Sequence, residues 1–181
     1  IEDTVKSLFQ DLDYPREKFD VYVIADNCTD NTAELAEKAG AKVMVHNDPD
    51  PAHHMALYPL KDGIKYILET DVEAELIIQL DADNHLNQEF AKKMNDAYQN
   101  GAEFMRPFEG GLNTPQNFFT RACSYFYAID SAIGSEARDM LGVAAHVNGA
   151  GATMSRKMLL ETGGYDCETT SDDTEFSFKR L

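Results

Sequence analysis

Three short apolar runs limit what this chain can become. "FDVYVIAD" (19–26), "AKVMVHN" (41–47) and "AELIIQLDAD" (74–83) are rich in β-branched residues and are bounded by polar or turn-forming residues. That pattern reads as buried strands. The stretches between them have helical spacing: Val5, Leu8, Phe9 and Leu12 in residues 2–12; "CTDNTAELAEKAG", with Thr29 or Asp30 as cap and Gly40 as stop; Leu60, Ile64, Ile67 and Leu68; Phe90, Met94, Ala97 and Tyr98. Further on, "AEFMRPF" (102–108) reads as a strand and "EGGLNTP" as a loop. "AHVNGAGATMS" (145–155) reads as strand or loop, "RKMLLETGGY" as a short helix ended by a glycine pair, and "SDDTEFSFKRL" as a final helix. The aromatic stripe Phe118, Ala122, Tyr125, Phe126 and Ile129 is expected to be core. Strands alternating with helices predict an α/β domain with a mainly parallel sheet.

Composition narrows the function. Net charge is −16, from 16 basic and 32 acidic residues, a surface that repels nucleic acid and anionic lipid. Cys28, Cys123 and Cys167 form neither a zinc pattern nor a disulfide framework. No apolar stretch approaches the roughly 20 residues that span a bilayer. The chain starts at Ile1 and stops inside a helix-like pattern. It is therefore read as one domain over 1–181, a piece of a longer protein.

The acids at the strand ends carry the chemistry. One strand ends in Asp26 and another in Asp81 and Asp83. In open α/β sheets ligands lie beyond the carboxyl ends of parallel strands. Along extended chain, residues i and i+2 face the same side, so Asp81 and Asp83 are expected to face one ligand. Two close carboxylates repel unless a cation separates them, and Mg²⁺ or Mn²⁺ suits such a pair. The plain alternative is an acidic strand end that caps the next turn.

The layout resembles a family 2-type glycosyltransferase of the GT-A fold. The family's "DDGSTDGT"-like segment reads "ADNCTDNT" (25–32), with Asp26 in the second acidic position and Ala25 in the first. Its D-x-D motif reads Asp81-Ala82-Asp83. Its acceptor-side segment with "R..L...GG" reads "GAGATMSRKMLLETGGYD" (149–166), and its "ED" motif reads Ser171-Asp172-Asp173. Order and spacing agree over nearly the full length.

The resemblance implies a Rossmann-like, mainly parallel sheet flanked by helices, and an inverting transfer of a sugar from a nucleotide-diphosphate sugar to an acceptor hydroxyl. A UDP-sugar is the preferred donor and a saccharide or lipid-linked molecule the acceptor, with no nucleic-acid partner. It implies that Asp26 binds the nucleobase or ribose and that Asp81 lies near ribose and metal. Asp83 is then the principal ligand of Mg²⁺ or Mn²⁺, and Asp173 the general base. His53, Arg106, Asn148, Gly149 and Asp172 are further candidate contacts to donor or acceptor. The expected location is cytoplasmic, or the cytosolic face of a membrane reached through parts outside this chain.

The chain also departs from the pattern. The family's opening strand with "P.YNE"-type residues is expected to be missing, because the chain opens in the following helix. "AHHMAL" (52–57) replaces "GKG.AL", putting His53 in the lysine position. Two other readings stay open: a sugar-phosphate nucleotidyltransferase, which would want a glycine-rich basic phosphate loop that this chain does not show, and a non-catalytic nucleotide- or sugar-binding relative.

Overall fold

The computed structural model describes residues 1–111, 116–143 and 145–179. Residues 112–115 of the expected "EGGLNTP" loop, and the last two positions of the expected final helix, lie outside the described residues.

Helix α1 (Glu2–Asp11) turns Val5 and Leu8 inward and gives way at Leu12, which is extended ahead of the Pro15 turn. β1 (Tyr22–Asp26) alternates half-buried and buried positions, with Val23 and Ala25 inward. α2 (Thr32–Lys38) leads to β2 (Lys42–His46). Asp30 supplies the acid at the start of α2, its Oδ1 accepting the Thr32 N–H at 3.0 Å. Gly40, at φ +100°, supplies the left-handed step after α2. β1 and β2 pair in parallel, so that Asp26 and His46 end the ladder opposite each other.

α3 (Leu57–Thr70) follows, then β3 (Leu76–Ile78), α4 (Phe90–Gln99) and β4 (Phe104–Met105). α5 (Phe118–Ile129) opens with a capping box at Asn117 and Thr120. It runs through a π-helical stretch, Asp130–Glu136, into α6 (Ala137–Met140). β5 (Thr153–Ser155), α7 (Arg156–Glu161) and α8 (Asp172–Lys179) complete the described chain. β5 is wholly buried between β3 and β4. Ser155 ends it and caps α7 by accepting the Met158 N–H at 3.0 Å.

The α/β class stands, but among the described residues only β1 and β2 form parallel sheet. The second sheet, in order β3-β5-β4, is antiparallel in both its pairings, because β5 runs back along β3 and β4. Two apolar cores follow. Val5, Val23, Ala36 and Ala41 form the smaller. Leu57, Ile64, Ile77, Met154, Met158, Leu159, Tyr165, Cys167 and Phe176 form the larger. α3 packs Ile64 into the larger core, and Gly63 lies so close to Ile24 on β1 that a Cβ there would clash.

The aromatic stripe of α5 is not core. No α5 residue is buried, and Phe118 and Phe119 are 77% and 78% exposed. Helical spacing shows which residues share a face; it does not supply an element to cover that face. α5 and its π-helical extension are anchored instead through polar groups on Asp130 and Ser135.

Candidate active site

The acid pair after β3 is built differently from the expectation. β3 ends at Ile78, so Asp81 and Asp83 do not lie in extended chain. Residues 81–84 form a turn: Asn84 N–H donates to Asp81 O at 3.1 Å, and Asp81 N–H donates to Asn84 Oδ1 at 3.0 Å. The pleat therefore does not align the two carboxylates; the turn brings them together. Partial desolvation first, and the Asp83 carboxylate second, push Asp81 above its ordinary value. Asp81 as a residue is exposed, so the like charge is the part of that effect that the turn geometry independently supports. Thr4 Oγ1 on α1 fixes the turn from behind, donating to Ala82 O at 2.7 Å.

Asp173 is tied to the strand that leads into this turn. Its Oδ2 accepts the Gly149 N–H at 3.2 Å. Gly149 packs on Gln79, where a Cβ would stand 3.0 Å from Gln79 Nε2. Gln79 continues β3 by exchanging backbone bonds with the loop: its N–H donates to Ala152 O at 2.9 Å and its O accepts the Gly151 N–H at 2.8 Å. Asp173 is thus joined through Gly149 to Gln79, two residues before Asp81. The other Asp173 oxygen accepts from Thr174, whose hydroxyl meets His146 Nε2 at 2.9 Å.

The neighbouring acids are otherwise engaged. Asp172 accepts the Tyr165 hydroxyl at 3.0 Å. Glu175 is pulled down to about 2, chiefly by Lys179 and then by the backbone N–H groups of Glu168 and Thr169. A carboxylate so held is a poor proton acceptor at neutral pH.

Asp26 is satisfied by the protein. Its Oδ1 meets His46 Nδ1 at 2.7 Å and accepts from Asn27 Nδ2 at 2.9 Å. Asn27 has φ +47°, a left-handed turn that asparagine tolerates. Its Oδ1 accepts the Asp48 N–H at 3.1 Å. Asp48 in turn meets His53 Nδ1 at 2.7 Å, and the His53 ring stacks on Tyr58 with centroids 4.1 Å apart. His53 therefore joins the Asp26 end through a chain of hydrogen bonds.

Arg106 does not face a ligand. Its side chain is 4% exposed and pairs with Asp130 at 2.8 Å and Glu109 at 3.4 Å, while also donating to Ser135. A buried guanidinium needs acceptors: Ser135 takes Nη1 and the two acids take Nη2, while Nε is buried with no partner among the described residues. Asn148 donates to the same Glu109 at 3.2 Å, which leaves Gly149 as the member of that loop lying against Asp173.

Among the described residues no cluster of three or more His, Cys, Asp or Glu could hold a metal by itself. The Asp81 and Asp83 pair nevertheless fits Mg²⁺ or Mn²⁺ of the kind that takes one or two carboxylates and fills its shell with phosphate and water. Reading the sequence missed His46, Asp62, Gln79, His146 and Thr174. One signal was available for His46: a polar residue that ends an apolar strand and falls in register with Asp26.

Comparison with known proteins gives the family. Residues 76–180 match the family described as Glycosyl transferase family group 2. The match covers more than half of the chain, and the chain belongs to that family. It is also 25% identical over 175 residues to a beta-monoglucosyldiacylglycerol synthase of Nostoc sp. (strain PCC 7120) and, to the same extent, to one of Trichormus variabilis. These matches cover 93% of this chain and 36% of each relative, so the chain spans about a third of the relatives' length. No helix among the described residues is long and apolar enough to cross a membrane.

Proposed function

We propose that this domain transfers a sugar, with inversion, from a nucleotide-diphosphate sugar to an acceptor hydroxyl. One observation carries the reading: a turn that holds two unneutralised carboxylates, Asp81 and Asp83, joined through Gln79 and Gly149 to a third, Asp173.

Asp83, with Asp81, would hold Mg²⁺ or Mn²⁺ against the donor diphosphate. A bound cation there supplies charge stabilisation for the leaving nucleoside diphosphate. Asp26 would take the nucleobase or ribose through Oδ2, to which no described residue bonds. Asp173 would accept the acceptor's hydroxyl proton as its oxygen attacks the anomeric carbon and the bond to the diphosphate breaks. The Gly149 N–H and Thr174 would fix the direction of that carboxylate. His53 and Asp172 would support the two ends through Asp48 and Tyr165 rather than meet substrate first.

A UDP-sugar is the preferred donor. The relatives' names state a glucosyl group on diacylglycerol, which supports a lipid-linked acceptor over a free saccharide. Work at a membrane face would then be reached through other parts of the protein.

Asp173→Asn tests the base. Affinity for UDP with Mn²⁺ should stay nearly constant, while transfer falls roughly 100- to 10,000-fold. Equal loss of binding and transfer would remove Asp173 from that role. Release of pyrophosphate from a nucleoside triphosphate and a sugar phosphate would instead support a nucleotidyltransferase.

A further inference from the structure

His46 ends β2 with its side chain only 9% exposed, and both of its ring nitrogens face carboxylates. Nδ1 lies 2.7 Å from Asp26 Oδ1 on β1, and Nε2 lies 3.2 Å from Asp62 Oδ2 on α3. A neutral imidazole has one N–H; its other nitrogen is an acceptor. With acceptors at both ends, one nitrogen of a neutral ring would point its lone pair at a carboxylate. The imidazolium, with two N–H groups, satisfies both. We propose that His46, as an imidazolium between Asp26 and Asp62, is a positioning residue for the nucleotide end of the site, and that donor affinity is coupled to its proton.

This inference rests on the reading of Asp26 as a nucleotide contact. His46 and Asn27 both bond to Asp26 Oδ1, and no described residue bonds to Oδ2. The positive charge also offsets Asp26, Asp62 and, from the loop after β2, Asp48, which itself pairs with His53. Loss of the proton leaves one N–H for two carboxylates. Asp62, 57% exposed, is free to turn to solvent. Asp26 then keeps a hydrogen bond but loses the compensating charge beside an anionic diphosphate ligand.

The direction of the pH effect follows. Asp26 first, with Asp62 adding, raises the His46 pKa above 6.5 against the opposing effect of burial. The clamp's contribution to stability is complete below the ordinary histidine value and is lost as pH climbs through the raised one. Donor affinity should fall over the same window, by about three- to ten-fold, the size of one screened unit charge at short range.

The experiment uses the protein with UDP and Mn²⁺ and reads two quantities. Proton NMR of the His46 ring, identified by its loss in His46→Gln, gives its titration in the free protein. Calorimetry gives UDP affinity against pH. Asp62→Asn, at an exposed position, should move the ring titration and the affinity midpoint to lower pH together. His46→Gln should flatten the affinity profile. A wild-type ring that titrates at or below the ordinary value overturns the clamp, as does an Asp62→Asn protein with unchanged titration. Affinity that ignores a shifted titration overturns the coupling. UDP that binds at no pH defeats the donor reading and the coupling with it, while the ring titration still tests the ion triad. Should His46→Gln fail to fold, Asp62→Asn decides alone.

Discussion

The two acidic strand ends of this protein solve the same problem in opposite ways. At the end of β1, Asp26 Oδ1 is met by His46 and Asn27, and on the proposal above the imidazolium compensates its charge. At the turn after β3, Asp81 is pushed up by partial desolvation first and by the Asp83 carboxylate second. A carboxylate with its own cation keeps its shape without ligand. A carboxylate set against another is at odds with its surroundings until an outside cation arrives. On the function proposed above, the first end would recognise a neutral hydrogen-bond donor and the second would hold a metal.

Substitutions that exchange these properties test the contrast. The largest effect is expected from Asp83→Ala, which should remove metal-dependent nucleotide binding and cut transfer by on the order of 1,000-fold, the several kcal/mol that a bound cation supplies. Kinetic assays across Mn²⁺ concentrations would read it; transfer that survives at saturating metal would break the contrast. Asp26→Asn should cost less. Losing a hydrogen bond to a charged group weakens UDP binding by about 10- to 100-fold, and by the same factor with and without metal. A metal-dependent loss would show that the two ends are one site for the cation.

Asp81→Asn should act on stability as well as on metal binding. The folded state raises the Asp81 pKa above 3.8, so ionised Asp81 opposes folding at neutral pH and protonation relieves it. The variant should therefore melt slightly higher than the wild type without metal, and should lose the upward melting shift that Mn²⁺ gives the wild type at pH 7. The same shift predicts that metal-dependent UDP binding weakens on acidification before an ordinary carboxylate would protonate. A variant that melts lower would show Asp81 to be structural. Smallest of all, Phe119→Ser on the exposed face of α5 should change stability by no more than about 0.5 kcal/mol, whereas Leu159→Ala in the larger core should cost about 2–5 kcal/mol.

Much of this was legible in the chain. The apolar runs became β1, β2 and β3, and the helical spacings became α1, α3 and α4, because local pattern and burial agree there. The acids were legible as a motif, but their surroundings were not. Asp81 and Asp83 looked like neighbours on a pleat; an Asn84 turn places them. Arg106 looked available to phosphate, yet its side chain is buried with Nη2 paired to Asp130 and Glu109. The α5 stripe looked like core because periodicity records a face and not its cover. His46 and Asp62 are 16 residues apart on different elements, and only the packing of α3 against β1 makes them partners of one ring.

The central claim is that the cation belongs to the turn after β3 and not to the end of β1. Calorimetric titration of UDP with and without Mn²⁺, in Asp83→Ala and Asp26→Asn side by side, tests it most directly. The Mn²⁺-dependent gain in affinity is expected to vanish in Asp83→Ala and to persist, on a weaker base, in Asp26→Asn. A gain that persists in Asp83→Ala and vanishes in Asp26→Asn would contradict it.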